Sequence, residues 1–160
     1  MLNVDLTQDK VRKLLVFKLA NEDRAFDVSC VREVLVPQPL HPIPQAPSFV
    51  EGVMNLREHV IAVIDLRKKL GLEITENNPG NRVVICNVES IIIGLIVDDV
   101  TEVLDVPEKE IDFTPEIVAV KGKEDVISGV ARIDDRIIVV LNLNAILTKE
   151  DTDELTGFKK

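Results

Sequence analysis

The sequence contains no tryptophan and no tyrosine, and five of its 160 residues are phenylalanine. A core built from this chain is therefore aliphatic, made mainly of valine, isoleucine and leucine. No apolar run reaches the roughly 18 residues of a membrane-spanning helix. The segment 1–12 also lacks the apolar stretch of a secretory signal peptide. These absences predict a soluble, intracellular protein.

Positive charge is scarce as well, because 28 acidic residues against 19 lysines and arginines give a net charge of −9. Binding to a nucleic-acid backbone needs clustered basic residues, and single strands also need aromatic platforms. An anionic membrane surface attracts basic segments in the same way. Two cysteines, Cys30 and Cys86, lie in apolar runs without the spacing of a metal site, which predicts buried free thiols in a reducing cytoplasm.

Motifs of catalysis are missing from the chain. It has no Gly-x-Gly-x-x-Gly, no phosphate-binding loop, no His-Glu-x-x-His, no Gly-x-Ser-x-Gly and no Cys-x-x-Cys. The two histidines, His41 and His59, lie in a proline-rich stretch and a predicted turn. The acidic pairs 98–99 and 134–135 lie at strand ends or turns, where aspartate is favoured for backbone reasons. The sequence therefore predicts a protein that binds rather than catalyses, without cofactor or metal.

The chain is internally duplicated. Placing Gly52 on Gly129, an offset of 77, aligns nineteen positions without a gap, and six of them are identical. Upstream, placing Phe17 on Cys86, an offset of 69, aligns 31–35 with 100–104. The two copies serve below as controls for each other.

Apolar patterns predict mostly strands. The predicted strands are 13–19, 24–30, a hairpin 54–66 around the turn 57–59, 83–88, 91–97 with a bulge at Gly94, and the second copy 126–147. Val31, Val34 and Leu35 fit one helical turn. Another is predicted at 67–70 and ended by Gly71. Five prolines in 36–47 predict an extended surface connection, with a ligand for a proline-recognition domain as the alternative.

The pattern as a whole predicts an all-β domain over 13–147. It is made of two β subdomains of four or five strands, 13–72 and 82–147, joined by a linker at 73–81. Residues 1–12 are expected to form an N-terminal arm, and 148–160 a polar C-terminal tail.

Two pairs of motifs carry a family resemblance. FVEGVMNLR and VIAVIDLRKKLGL resemble the signature of the CheW family, the coupling adaptors of bacterial chemotaxis. GLIVDDVTEVLDVPEKEI and ISGVARIDDRIIVVLNLNAIL look like the second half of the same domain. The resemblance runs from about Leu14 to Leu147. It implies two tandem SH3-like five-stranded β-barrels with a hydrophobic junction.

The same resemblance implies partners. It suggests a scaffold that couples the cytoplasmic helical hairpin of chemoreceptors to the regulatory domain of the histidine kinase CheA, and that reaches the membrane only through receptor arrays. One alternative is a CheW-like adaptor of a non-flagellar chemosensory pathway. Another is a small-molecule-binding β-barrel protein with its ligand at the junction.

Candidate partner-binding residues follow from matching the family motif. Arg57 is the first candidate, because its internal copy is Asp134 and the fold therefore does not require arginine there. The other candidates are Asn55, Glu33, Gly52, Glu58, Val28, Val31 and Val103. Gly52 and Gly129 are glycine in both copies, which favours a backbone role. Glu33 has an acidic copy, Glu102, so a structural role competes with a binding role. The three valines are expected to line an apolar groove or to pack in the core.

One residue departs from the family pattern. Glu58 stands where the family usually has glycine after the arginine. Glycine suits a turn residue with positive φ, so glutamate either accepts a strained backbone or changes the turn that presents Arg57.

Overall fold

The computed structural model describes residues 10–74, 79–113, 126–147 and Asp151. Most of them are in strands, which confirms the predicted mainly β class. The elements are β1 (Val11–Leu19), β2 (Glu22–Asp27), β3 (Val31–Leu35), β4 (Val50–Leu56), β5 (His59–Asp65), α1 (Leu66–Lys69), β6 (Arg82–Val88), β7 (Ile91–Val97), β8 (Asp99–Pro107), β9 (Ile111–Asp112), β10 (Ile127–Ile133), β11 (Arg136–Leu141) and α2 (Leu143–Ile146). Short 3-10 turns cover Val28–Cys30 and Glu108–Glu110. No helix within these ranges is long and apolar enough to cross a membrane.

The strands form two curled sheets, consistent with a pair of SH3-like barrels. The first sheet has the order β8-β1-β2-β11-β10-β9 and the second has the order β3-β6-β7-β5-β4. Each sheet encloses its own small apolar core. Val16, Ala25 and Ile138 belong to the core of the first sheet, and Met54, Val63 and Ile85 to that of the second. The first sheet has six strands instead of five because the two-residue strand β9 is added at its edge.

The sheets exchange strands between the two halves of the sequence. β1 and β2 join β8–β11 of the second half, and β6 and β7 join β3–β5 of the first half. The predicted boundaries of the subdomains, 13–72 and 82–147, therefore do not separate the sheets. A sequence copy shows which segments are equivalent, but it does not show whether a strand pairs within its own half or with the other half.

The duplication extends to the register of the strands. β5 lies parallel to β7 with Ala62 beside Ile93, and β11 lies parallel to β2 with Val139 beside Arg24. These pairs are copies, since 139 − 62 = 77 and 93 − 24 = 69. The register shifts are copied as well, for the shift before Gly52 in the β4–β5 pair recurs before Gly129 in the β10–β11 pair. The two sheets are thus two versions of one structure.

A third and larger apolar core joins the sheets. It contains Phe17 and Phe26 from the first sheet and Ile64, Ile93 and Leu95 from the second, each fully buried. The two phenylalanine rings pack with centroids 4.9 Å apart. Burying aliphatic and aromatic side chains contributes roughly 1.5–3 kcal/mol each. This junction core corresponds to the hydrophobic junction implied by the family resemblance.

Four local predictions are wrong, and each has a physical reason. Residues 31–35 form a strand, because β6 supplies a pairing partner that outweighs the helical spacing. β2 ends at Asp27 and not at residue 30, since the Asp27 carboxylate accepts a bond from the Ser29 N–H and starts a turn. β7 has no register shift at Gly94, whose missing side chain leaves space for Val83 instead. The predicted arm 1–12 is too long, because β1 begins at Val11.

Several of the remaining local predictions agree with the structure. Leu66–Lys69 is helical and is followed by Gly71, which has a φ of 71°. The proline-rich stretch is an extended connection with a single bridge to β4. Cys30 and Cys86 are free thiols, but only Cys86 is fully buried. The predicted tail 148–160 lies outside the described residues except for Asp151, and so does part of the linker, 75–78.

A buried ion cluster ties the second sheet to the first. The guanidinium of Arg67 is 2% exposed and donates to Asp65 at 3.0 and 2.9 Å and to Asp98 at 2.8 Å. Asp98 lies between β7 and β8, where the chain crosses from one sheet to the other. Its second oxygen accepts the N–H of Ala20, in the β1–β2 turn, at 2.8 Å. Carboxylates on both sides satisfy the buried cation, and their hydrogen bonds raise the pKa of Arg67.

We predict that Asp98→Ala lowers the free energy of unfolding by about 3 kcal/mol, because it leaves a buried guanidinium partly unpaired and the Ala20 N–H without its carboxylate. Denaturant titration measures this loss. Asp105→Ala is the control, since Asp105 forms an exposed 3.1 Å pair with Lys13 and its removal costs at most about 1 kcal/mol. Equal losses in the two variants would show that the buried cluster does not hold the sheets together.

Candidate partner-binding site

Arg57 lies at the tip of the β4–β5 hairpin. Arg57 and Glu58 have φ angles of 46° and 74°, so the turn consists of two left-handed residues. Two-residue turns with positive φ at both positions match the right-handed twist of the strands that they join. His59 is already the first residue of β5, so the turn is one residue shorter than predicted. Glu58 therefore keeps the turn that glycine would favour and adopts a strained backbone.

Arg57 forms a two-pronged ion pair with Glu33 on β3. Its Nη2 donates to Oε1 of Glu33 at 2.9 Å, and its Nη1 donates to Oε2. The arginine side chain is 71% exposed and the glutamate 23% exposed. Two parallel bonds fix the plane of a guanidinium as well as its position. The pair therefore presents Arg57 to solvent in one orientation.

The charge of Glu33 keeps this arrangement in place. The hydrogen bonds that Arg57 donates hold the pKa of Glu33 below its ordinary value, and the same bonds, accepted by the Glu33 carboxylate, raise the pKa of Arg57. The contribution of a carboxylate with a lowered pKa is present above its unfolded pKa and is lost as the pH falls through its folded value. The pair therefore remains formed at neutral pH.

The internal copy holds its acidic residue with a different arginine. Glu102, the copy of Glu33, contacts Arg136 at 2.9 Å. Arg136 starts β11 and is the copy of His59, and it also contacts Asp23 at 3.3 Å. In both halves, therefore, an arginine of the hairpin pairs with the acidic residue and holds it in place. The exposed arginine at the tip belongs to the first half alone, where the second half has Asp134.

Asn55 and Gly52 have different positions on the same hairpin. Asn55 is exposed two residues before Arg57 and can contact a partner. Gly52 is buried and has a φ of 149°. The backbone of His41, which bridges to Val53, packs directly against it. A Cβ at Gly52 would lie 2.7 Å from the His41 carbonyl oxygen. Gly52 therefore shapes the hairpin through the backbone.

Two of the three candidate valines pack against the junction core, and the third lies on a strand that borders it. Val28 and Val31 are partly buried and pack against it. Val103 is 54% exposed on β8 and pairs with Leu15, which is a member of that core. The structure thus places two of these residues in the packing and one at its exposed margin.

The sequence alone did not show two of these features. The pairing of Arg57 with Glu33 depends on β3 being a strand, which the helical spacing at 31–35 concealed. The buried cluster of Arg67 was also missed, although Asp65 and Arg67 belong to the recognised motif Val-Ile-Asp-Leu-Arg. The sequence does contain a sign of this cluster. It is an arginine that stands two residues after an aspartate, at the end of a strand that is buried on both faces.

Two linked small barrels with a shared apolar junction, and an exposed arginine held in place at a hairpin tip, form an arrangement that suits the binding of other proteins. A family model described as CheW-like domain matches residues 13–151. The chain therefore belongs to the CheW-like family.

Individual relatives agree over most of their length. A chemotaxis protein CheW of Bacillus subtilis is 33% identical over 140 residues, which cover 88% of this chain and 89% of that protein. One of Rhizobium meliloti is 30% identical over 142 residues, which cover 89% and 91%. The crystal structure of the scaffolding protein TtCheW from Thermoanaerobacter tengcongensis has a TM-score of 0.80 and 32% identity, covering 89% of this chain and 96% of that one.

We predict that Glu58→Gly raises the free energy of unfolding by up to about 1 kcal/mol. Removing the strain of the left-handed conformation stabilises the fold by roughly 1–2 kcal/mol. The greater conformational freedom of glycine in the unfolded chain reduces this gain by roughly 0.5–1 kcal/mol. Glu58→Ala is the matched control, because alanine loses the charge but keeps the strain. A gain in the alanine variant equal to that in the glycine variant would assign the effect to charge and not to the backbone.

Proposed function

We propose that this chain is a non-enzymatic chemotaxis scaffold that couples the cytoplasmic helical hairpin of a chemoreceptor to the regulatory domain of the histidine kinase CheA. Its membership of the CheW-like family supports the chemotaxis role. The observation that carries the assignment of a binding surface is the exposed, two-pronged Arg57–Glu33 pair, which the second half of the chain does not reproduce. In this proposal the protein works in the cytoplasm and reaches the membrane only through the receptor.

Two separate surfaces suit two partners. The apolar margin of the junction core, with Val103 exposed, suits the apolar stripe of an amphipathic helix. The Arg57 hairpin lies on the second sheet, at the end of a barrel, and suits a charged surface of another barrel. Arginine is enriched among the residues that carry most of the binding energy of interfaces.

Weak binding at each surface is sufficient for this function. Partners that are held together in an array present each other at high effective concentration, so two modest affinities combine into tight assembly. The signal then passes as a change of geometry at the kinase. The scaffold contributes contacts and needs no reaction of its own.

The test is a pull-down with two baits, a receptor cytoplasmic hairpin and the kinase with its regulatory domain. Wild type is expected to bind both. Arg57→Ala is expected to weaken the binding of one bait by about tenfold or more, as the loss of a central arginine contact does. Asp134→Ala, the same change at the equivalent hairpin tip, is expected to bind both baits as wild type does.

Two outcomes would contradict the proposal. If folded wild type binds neither bait, the scaffold assignment fails. If Arg57→Ala and Asp134→Ala bind alike, the scaffold assignment stands but Arg57 is not the contact. Thermal unfolding of each variant confirms that any loss of binding is not a loss of folding.

A further inference from the structure

A polar cavity of about 310 Å³ lies beside α2, between the first and the second sheet. Ser29, Asn87, Glu89 and Asn144 line its exposed side, and Val140 and Leu143 are among the buried residues of its wall. None of these residues belongs to the Arg57 hairpin. The cavity is therefore separate from the Arg57 hairpin, although its lining residues Ser29 and Cys30 lie between the candidates Val28 and Val31.

The internal duplication identifies the equivalent of this cavity in the other half. With the offset of 77, Asn142 and Asn144 are the copies of Asp65 and Arg67. With the offset of 69, Ser29 is the copy of Asp98, and Glu89 is the copy of Ala20. Every one of these four residues lines the cavity. The cavity thus stands where the other half has the buried Arg67 ion cluster.

Three substitutions between the copies remove the groups that form the ion cluster. Asn144 is shorter than Arg67, so it does not reach across to the loop at Ser29. Ser29 is shorter than Asp98, which contacts Arg67 at 2.8 Å in the other half. Asn142 starts α2 as Asp65 starts α1, but within the described part of the chain its side chain makes no capping bond. The surrounding backbone is copied, while the guanidinium and its carboxylates are not.

The lining suits a guanidinium better than other charged groups. Amide and hydroxyl oxygens of Asn142, Asn144 and Ser29 replace the carboxylates as acceptors, and Glu89 supplies negative charge at the wall. Arg12 also lines the cavity, but Asp27 and Glu108 each contact it at 3.3 Å. A planar group with five donors matches several separate acceptors, whereas an ammonium ion acts as a point charge.

We propose that this cavity binds a guanidinium group on a short aliphatic stem, in the position that Arg67 occupies in the other half of the fold. Two sources carry this chemistry, namely a free guanidino compound and an arginine side chain of a protein partner. Either would add a second, ligand-bearing role to the scaffold, independent of the Arg57 surface.

The test is a titration of the isotope-labelled chain by NMR with ethylguanidinium as the probe. We expect saturable shifts of the amides of Ser29, Asn87 and Asn144. Propylammonium, which has the same charge without the planar fork, should bind about tenfold more weakly, since charge-assisted paired bonds are lost. Free L-arginine and a blocked Gly-Arg-Gly peptide then distinguish the two sources.

Asn144→Arg is the decisive variant, because its new side chain should fill the cavity as Arg67 fills the equivalent space. It is expected to abolish the shifts and to remain folded, as checked by thermal unfolding. Ser48→Arg is the matched control, since it adds the same charge at an exposed position before β4 and should leave binding unchanged. Binding that survives in Asn144→Arg, equal binding of propylammonium, or binding of acetate in place of ethylguanidinium would overturn the proposal.

Discussion

The pairing of β1 with β8, and of β3 with β6, makes each sheet depend on both halves of the chain. Leu14 on β1 lies opposite Leu104, and Leu35 on β3 lies opposite Val83, so strands from distant parts of the sequence complete each barrel. The junction core fills the space between the two sheets. The cluster of Arg67 fixes the point where the chain passes from one sheet to the other. Because each sheet takes strands from both halves, neither half alone contains all the strands of either sheet.

A duplicated scaffold of this kind separates structure from function. Features present in both copies, such as the register, the shift before Gly52 and Gly129, and an arginine that braces Glu33 or Glu102, belong to the fold. Features present in one copy are free to carry function. The exposed arginine at the hairpin tip is one such feature, and the polar cavity beside α2 is another.

The sequence predicted the class and the duplication because both depend on local apolar patterns. The strand at 82–88, the hairpin at 50–65 and the helical turn before Gly71 are each encoded within a few residues. Which strands pair with each other was not predictable in the same way. Residues 31–35 look helical until β6 is beside them, and the strand exchange depends on which edge each strand meets. The pairing of Glu33 with Arg57 depends on the strand that was not predicted. Arg57 itself was predicted from the family motif and favoured by its difference from Asp134.

The central claim is that equivalent hairpins in the two halves differ in function because Arg57 is present in one and Asp134 in the other. The most direct measurement is an NMR titration of the labelled wild-type chain with the receptor hairpin and with the kinase regulatory domain in turn. The account predicts that one of these partners perturbs the amides of 55–59 and leaves those of 132–136 unchanged. Equal perturbation of both hairpins, or perturbation of 132–136 alone, would contradict it.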